Sequence, residues 1–354
     1  MAVASGSEAS AQAPTGGPAH SRGTLGRSAI KVLRSFLTLR EGSIVLVTVA
    51  TFIYFAVSAP GFATGSNFKT LLPYFAPIAI LKAGEVFIMI NGEIDLSIGA
   101  VYLITPFLFY KLSVNVGLPL VPAVILALLG SCIIGLVNGF FIAVVGISSF
   151  VATFGMLFTI SGLTLVMSHS APVGTPGTSS LHVETFAKIF GGGTYSELIW
   201  ALAIVVLLQL VLTFTRWGIY TVAVGGNRLG SAEAGVRVRL VLIRNFVLCA
   251  GLAGLVGVLE AVRTVTATPD PSGSNEILFQ AIAAAVIGGT LLLGGSGTVV
   301  GALIGALFLG ILHDGLIIKG VSADYLDLYL GLAIILVMTI NVFVQKVRTG
   351  SGLA

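Results

Sequence analysis

Long apolar runs fill most of this chain of 354 residues, and they restrict its fold more than any other feature. A helix needs about 20 mostly apolar residues to cross the hydrocarbon layer of a bilayer. Only 9% of the residues are charged, against roughly 25% in an average soluble domain, so no large soluble domain fits beside these runs. We therefore predict an all-α polytopic membrane protein with about ten transmembrane helices. The predicted spans are 43–60, 70–90, 96–112, 119–145, 149–168, 197–215, 242–264, 277–293, 299–318 and 327–344.

The distribution of lysine and arginine indicates how these spans are oriented, because positive residues are enriched on the cytosolic side. With a cytosolic N-terminus, 12 of the 18 lysine and arginine residues lie in the cytosol, and they form no single basic face for nucleic acid. We expect a disordered basic cytosolic tail at 1–42, a transmembrane domain at 43–345 and a cytosolic C-terminal tail at 346–354. Within the transmembrane domain, 216–244 is a cytosolic loop and 169–196 an external loop suited to docking a partner.

One polar stretch, from Asn91 to Ala100, interrupts the apolar sequence with Glu93 and Asp95. Charged residues at membrane depth are costly and by default suggest function. The structural alternative is that Asp95 caps the next helix by accepting a hydrogen bond from the amide of Ser97 or Ile98. Counting spans places the stretch at a cytosolic end, which favours a gate or coupling hinge, whereas a re-entrant second span would return it to mid-depth. The hinge candidates are Asn91, Glu93, Asp95, Ser97 and Gly99.

A weak internal repeat of two halves includes this stretch. Gly92–Ala100 aligns with Gly294–Ala302 and matches it at two glycines and one alanine. The counterpart of Asp95 is Gly297, so a helix can start there without a carboxylate, and capping alone does not account for Asp95. Small residues also let membrane helices approach closely. Candidates for such contacts are Gly130, Gly135 and Gly139.

Several observations argue against an enzyme. The run Gly294–Gly297 lacks the Lys-Ser/Thr ending of a phosphate loop, and the four histidines are not spaced as metal ligands. Lys82 with Glu85, and Glu260 with Arg263, lie three residues apart on predicted helices. We expect each pair to neutralise its own charges, which weakens the hypothesis of a proton-driven carrier.

Four motifs follow one another along the chain. Gly92–Gly99 reads Gly-Glu-Ile-Asp-Leu-Ser-Ile-Gly, and Asn138-Gly139 is followed by Gly146–Gly155. Ala223–Val236 contains Gly-Gly-Asn, and Val286–Gly301 contains Gly-Gly-Thr and then Gly-Gly-Ser-Gly. In this order the motifs resemble those of membrane permease subunits of ABC importers for monosaccharides of the ribose, xylose, arabinose and galactose type.

The resemblance implies a permease that is not itself an enzyme and binds no cofactor, with ATP and Mg held by a cytosolic ABC ATPase. It also implies an extracytoplasmic sugar-binding protein, a second permease copy in a homodimer, and the bilayer of a bacterial cytoplasmic membrane with both termini cytosolic. The third motif would contact the ATPase, with a short surface helix at Ala232–Val238. The ATPase-contact candidates are Gly226, Asn227, Arg228, Glu233, Gly235 and Arg237. Pathway candidates are Glu85, Asn138 and Phe154, although the stripe Phe150, Phe154 and Phe158 is typical of helix packing.

Three alternatives remain beside an importer of a monosaccharide or related polyol. An ABC permease for nucleosides, branched-chain amino acids or another small polar solute would share the fold, but usually has Asn in place of Asp-Leu-Ser in the first motif. A stand-alone secondary carrier is compatible with the internal repeat and the intramembrane carboxylates. A membrane scaffold or sensor would transport nothing. The identity of the solute is expected to depend mostly on the separate binding protein.

Overall fold

The computed structural model describes residues 41–175 and 181–350, and for 181–183 and 341–350 the backbone alone. Nearly all of the predicted N-terminal tail at 1–42 lies outside the described residues, as do the last four residues of the predicted tail at 346–354. The described part of that second tail is helical as far as Gly350.

Thirteen α-helices are found among the described residues, together with one short antiparallel strand pair. The helices are α1 (Gly42–Ser58), α2 (Gly65–Ile90), α3 (Ile98–Tyr110), α4 (Leu120–Phe140), α5 (Ser149–Ser168), α6 (Leu181–Ala187), α7 (Ser196–Phe214), α8 (Arg216–Gly226), α9 (Arg228–Glu233), α10 (Val238–Thr264), α11 (Pro271–Ile287), α12 (Val299–Ile318) and α13 (Leu326–Gly350). Strand β1 (Val173–Gly174) pairs with β2 (Thr266–Ala267). Wider π-helical turns extend α3, α4 and α6 over Lys111–Asn115, Phe141–Val145 and Lys188–Gly192.

The prediction of an all-α polytopic membrane protein is confirmed. Within the described part of the chain, eight helical stretches are long and apolar enough to cross a bilayer. The predicted spans 43–60 and 277–293 correspond to the shorter helices α1 and α11, of 17 residues each. Helix α11 begins six residues earlier than expected, because the Asp270 side chain accepts a hydrogen bond from the Ser272 amide (2.9 Å). It ends at Ile287, shortly before Gly289, which has a φ of 88°.

The helices bring three connecting segments together at one end of the bundle, which we call the proximal end. These segments are 91–97, 226–238 and 288–298, and the opposite, distal end contains 59–64, 169–175, 181–195, 265–270 and 319–325. At the proximal end the Gly295 amide donates a hydrogen bond to the Ile90 carbonyl (2.7 Å). The two stretches aligned by the internal repeat therefore lie against each other, and each is followed by a helix, α3 or α12.

Helix α10 lies at the centre of the bundle, where it packs against α2, α3 and α4. All three predicted small-residue positions lie on α4, and two of them contact α10. A Cβ added to Gly135 would lie 2.5 Å from the Phe246 carbonyl oxygen, and one added to Gly139 would lie 2.7 Å from Ile243 Cα. Glycine at these positions allows the two backbones to approach closely.

The polar segment between α7 and α10 differs from its prediction. Its short surface helix is α9, at Arg228–Glu233, and not at Ala232–Val238. The Asn227 side chain starts the helix by accepting a hydrogen bond from the Gly230 amide (2.9 Å). Gly235, with φ of 84°, then turns the chain toward α10.

Candidate functional site

The predicted hinge is buried and turns back into the bundle after α2. Asp95 and Ser97 have no exposed surface, and Asn91 and Glu93 are also buried. The Asp95 amide donates a hydrogen bond to Glu85 Oε1 (3.1 Å), and Glu85 lies more than one turn before the end of α2. The stretch therefore begins at the proximal end and turns back into the bundle as far as the side chain of Glu85.

A chain of hydrogen bonds links this hinge to two pathway candidates. Cys249 Sγ donates to the second Glu85 oxygen (3.4 Å). Asp95 Oδ1 accepts from the Ser97 hydroxyl (2.6 Å), which in turn accepts from Asn138 Nδ2 (2.8 Å). Glu85, Asn138 and the hinge thus form one polar cluster, held by α2, α4 and α10.

Asp95 forms one of the two hydrogen bonds considered for it. Its Oδ1 accepts from the Ser97 amide (2.8 Å), but Ser97 is the N-cap of α3, so this bond orders the turn before the helix and does not cap the helix itself. Helix α12, the counterpart of α3, is capped by Thr298, whose hydroxyl accepts from the Gly301 amide (3.1 Å). Burial raises the pKa of Asp95 to about 6, and the bonds from Ser97 oppose that rise. Its second oxygen has no hydrogen-bond partner among the described residues.

Phe154 does not join this cluster. It is 45% exposed on the outer side of α5 and stacks on Phe150, while its ring meets Phe158 edge to face. On α5 it is the neighbouring Thr153 that turns inward, and its hydroxyl accepts a hydrogen bond from the Leu96 amide (3.0 Å). The aromatic stripe lies outside the packed core, so it is neither core packing nor part of the polar cluster.

One of the two predicted charge pairs forms and the other does not. Arg263 bonds to Glu260 as expected, and it also lies 3.4 Å from Glu197. The prediction for Lys82 and Glu85 was wrong, because the Glu85 oxygens are occupied by the Asp95 amide and by Cys249. Lys82 is fully buried, and its Nζ has no hydrogen-bond partner in the described part of the chain.

Arg228 joins the hinge to the segment that the resemblance assigns to ATPase contact. Its guanidinium donates to the Asn91 carbonyl (2.8 Å) and forms an ion pair with Glu93 (2.5 Å). Arg228 is the first residue of α9, and its side chain is half exposed whereas that of Glu93 is nearly buried. The Arg228 side chain therefore connects the surface helix α9 directly to the buried hinge.

Behind this ion pair, an amide network fixes α8 against the hinge. Asn245 Nδ2 donates to Asn91 Oδ1 (2.6 Å), and Asn91 Nδ2 donates to the Thr221 carbonyl (2.8 Å). Gly225 packs so closely that an added Cβ would lie 1.7 Å from the Ile90 carbonyl oxygen. Asn245, Thr221 and Cys249 were not singled out from the sequence, because their partners are far away along the chain.

The six ATPase-contact candidates form one exposed surface at the proximal end. All of them are exposed, and they lie beside two exposed leucines, Leu229 (71%) and Leu293 (94%). Leu293 lies on the segment 288–298, next to Gly92. It was missed from the sequence, although its position directly before a Gly-Gly turn indicated an exposed loop. The candidates are Gly226, Asn227, Arg228, Glu233, Gly235 and Arg237.

Comparison with known proteins agrees with this architecture. A xylose/arabinose import permease protein of Sulfolobus acidocaldarius is 35% identical over 314 residues, which cover 86% of this chain and 84% of that protein. A ribose import permease protein of Escherichia coli (strain K12) is 32% identical over 304 residues, covering 86% and 94%. A ribose import permease protein of Bacillus subtilis (strain 168) is 31% identical over 289 residues, covering 82% and 88%.

The family profile described as branched-chain amino acid transport system / permease component matches residues 67–338. This range includes the polar cluster, the amide network and the whole exposed surface at the proximal end. Because the match extends over well more than half of the chain, the protein belongs to this family of multi-pass membrane permease components.

Proposed function

We propose that this chain is the transmembrane permease subunit of an ATP-driven importer that translocates a monosaccharide or related polyol. An extracytoplasmic binding protein delivers the solute at the distal end, and a cytosolic ABC ATPase binds at the proximal end. ATP and Mg belong to that ATPase, and this chain binds no cofactor of its own. Two permease copies form a homodimer in the bacterial cytoplasmic membrane, with both termini in the cytosol.

The observation that carries the proposal is the contact of Arg228 with Asn91 and Glu93. An importer of this kind needs a surface that an ATPase can press and a buried element that responds. Here the exposed helix α9 and the buried hinge share one ion pair, so a displacement of α9 changes the surroundings of Glu93 directly. The exposed Leu229 and Leu293 provide apolar contact area of the kind found at protein interfaces.

The choice of solute class rests on the relatives. Those compared above are named as import permeases for xylose/arabinose or for ribose, and each aligns with most of this chain. The description of the family itself names branched-chain amino acids. A test of function must therefore include both classes of solute.

The proposal is tested by reconstituting the permease with its ATPase and binding protein in proteoliposomes. Uptake of radiolabelled D-ribose, D-xylose or L-arabinose is measured beside uptake of L-leucine and uridine. We expect sugar uptake that requires ATP and both partners and that persists after addition of a protonophore. Uptake of L-leucine or uridine alone would point to another ABC permease, and sugar uptake that is abolished by the protonophore but independent of the ATPase would indicate a secondary carrier.

A further inference from the structure

Two adjoining pockets, which we treat as the two lobes of one cavity, lie toward the distal end between α2, α3, α10 and α11. One lobe has a volume of about 290 Å³ and the other about 330 Å³, and both are lined by Tyr102, Glu260 and Gly273. Each lobe is close to the lower limit of ordinary small-molecule sites, roughly 300 Å³. The cavity is distinct from the polar cluster, which belongs to the proximal half of the bundle.

The charges that line the cavity are mostly negative. Glu260 borders both lobes, Asp270 borders the first, and Glu276 and Arg263 border the second. Arg263 is already paired with Glu260 and with the nearly buried Glu197. The cavity therefore carries an excess of negative charge, which disfavours a carboxylate or a phosphorylated solute.

Polar groups with free hydrogen-bonding capacity remain at the cavity. The Tyr74 hydroxyl lines the second lobe, where the side chain of Gln280 is its polar neighbour. Pro73 and Pro77 of α2 line the same lobe, and because proline has no N–H, Pro77 leaves the Pro73 carbonyl without its usual helical donor. Unpaired buried polar groups are costly unless a ligand or water satisfies them.

We propose that this cavity binds a neutral polyhydroxylated solute of monosaccharide size within a single permease subunit. This inference rests on the proposed function and assigns part of the solute's route to α2, α3, α10 and α11. The ring of Tyr102 supplies an apolar face shared by both lobes, and its hydroxyl forms hydrogen bonds with the solute, as do the hydroxyl, carbonyl and carboxylate groups around it. Glu260 and Tyr102 contact the solute wherever it lies in the cavity.

Cysteine protection tests the proposal in the full complex in proteoliposomes. Thr70→Cys reports on the second lobe and Thr268→Cys on the first. Both are made in a Cys132→Ser background, while the buried Cys249 is retained. The matched control is Ser66→Cys, one turn from Thr70, exposed and outside the cavity. Labelling by a membrane-impermeant maleimide is measured against increasing D-ribose, D-xylose or L-arabinose, with ribose 5-phosphate as an anionic comparison.

At a sugar concentration about ten times its dissociation constant, mass action predicts roughly tenfold slower labelling of the two cavity cysteines. Ser66→Cys should label at an unchanged rate, and ribose 5-phosphate should not protect. The variant Tyr102→Phe should raise the half-protecting sugar concentration by about two- to tenfold, as expected for the loss of one hydrogen bond. Tyr325→Phe, which changes an exposed tyrosine at the distal end, serves as its control.

Labelling that is unaffected by any of the three sugars overturns the proposal, and so does equal protection of Ser66→Cys. Sugar uptake measured on the same vesicles separates this inference from the proposed function. Uptake without protection overturns the cavity site and leaves the importer function standing. Protection without uptake supports the cavity site and contradicts the importer function.

Discussion

At the scale of single residues, the protein uses buried carboxylates as hydrogen-bond acceptors for its own backbone and side chains. Asp95 accepts from Ser97, and Glu85 accepts from the Asp95 amide and from Cys249. Such contacts contribute little when intact, but leaving one buried donor unpaired costs about 1–3 kcal/mol. The sequence identified Glu85, Asp95 and Asn138 because polar residues stand out in apolar runs. It could not show that Lys82 stays unpaired, because the partners of Glu85 lie on other elements.

We expect Asp95→Ala to lower the free energy of unfolding by about 1–3 kcal/mol, since the Ser97 amide and hydroxyl lose their common acceptor. Asp95→Asn keeps an oxygen at the same place, so it should cost markedly less. Thermal unfolding of the purified protein in detergent measures the difference. Equal loss of stability in both variants would show that the charge of Asp95, and not its acceptor oxygen, stabilises the hinge.

At the scale of elements, close glycine contacts position α4 against α10, and Gly225 positions α8 against the end of α2. The existence of the spans was predictable because about 20 apolar residues are needed for each crossing. Helix ends were less predictable, because they depend on local capping. The Asp270 and Asn227 caps moved the starts of α11 and α9 away from the predicted positions. The contact between the two repeat stretches could not be predicted from the sequence, because it forms only when the helices pack into the bundle.

Gly135→Val should destabilise the protein by about 1–3 kcal/mol, because the new side chain would force α4 away from the Phe246 carbonyl. The control is Gly155→Ala on α5, where an added Cβ meets nothing within 4 Å. That change should be neutral or stabilise the helix by about 0.5–1 kcal/mol. Urea or thermal unfolding in detergent checks both values. A Gly135→Val protein as stable as the control would contradict the close packing of α4 on α10.

At the scale of the whole molecule, the proximal end combines an exposed surface with the buried hinge, and the distal end contains the cavity. A transporter of the proposed kind alternates between two states that the ATPase biases differently. The resemblance to sugar permeases predicts that the segment 223–236 contacts the ATPase, and this stays a prediction. The sequence did not reveal that the segment 288–298 lies beside that surface, since only folding brings Leu293 next to Gly92.

Charge reversal on this surface should separate ATP hydrolysis from uptake. Glu233 and Arg237 are exposed, and neither forms an ion pair within the described part of the chain. We therefore expect Glu233→Lys and Arg237→Glu to leave folding intact while sugar uptake per ATP hydrolysed falls. Arg216→Glu, at an exposed arginine outside the contact candidates, is the matched control. Unchanged sugar-stimulated hydrolysis and unchanged uptake in both test variants would remove these residues from the interface.

Leu293→Asp should weaken binding of the ATPase without destabilising the permease, because the side chain is 94% exposed and buries no core surface. Loss of a central apolar contact in an interface typically costs more than 1 kcal/mol, so affinity should fall by about fivefold or more. Binding of the purified ATPase to permease in nanodiscs measures the effect. Val116→Asp, at an exposed valine in the connection between α3 and α4 at the distal end, is the control. Equal affinity for all three proteins would place the ATPase elsewhere.

The ion pair between Arg228 and Glu93 tests the central claim most directly, because it is the only ion pair found between α9 and the hinge in the described residues. Sugar uptake and ATP hydrolysis are measured for Arg228→Glu, for Glu93→Arg and for the double variant. Each single change should lower sugar uptake per ATP hydrolysed. The double variant should recover much of the lost uptake, because it forms the ion pair again with the charges exchanged, and the coupling energy between the two sites should be about 1 kcal/mol. If the single variants take up as much sugar per ATP hydrolysed as the unchanged protein does, this contact does not transmit the movement of α9 to the hinge.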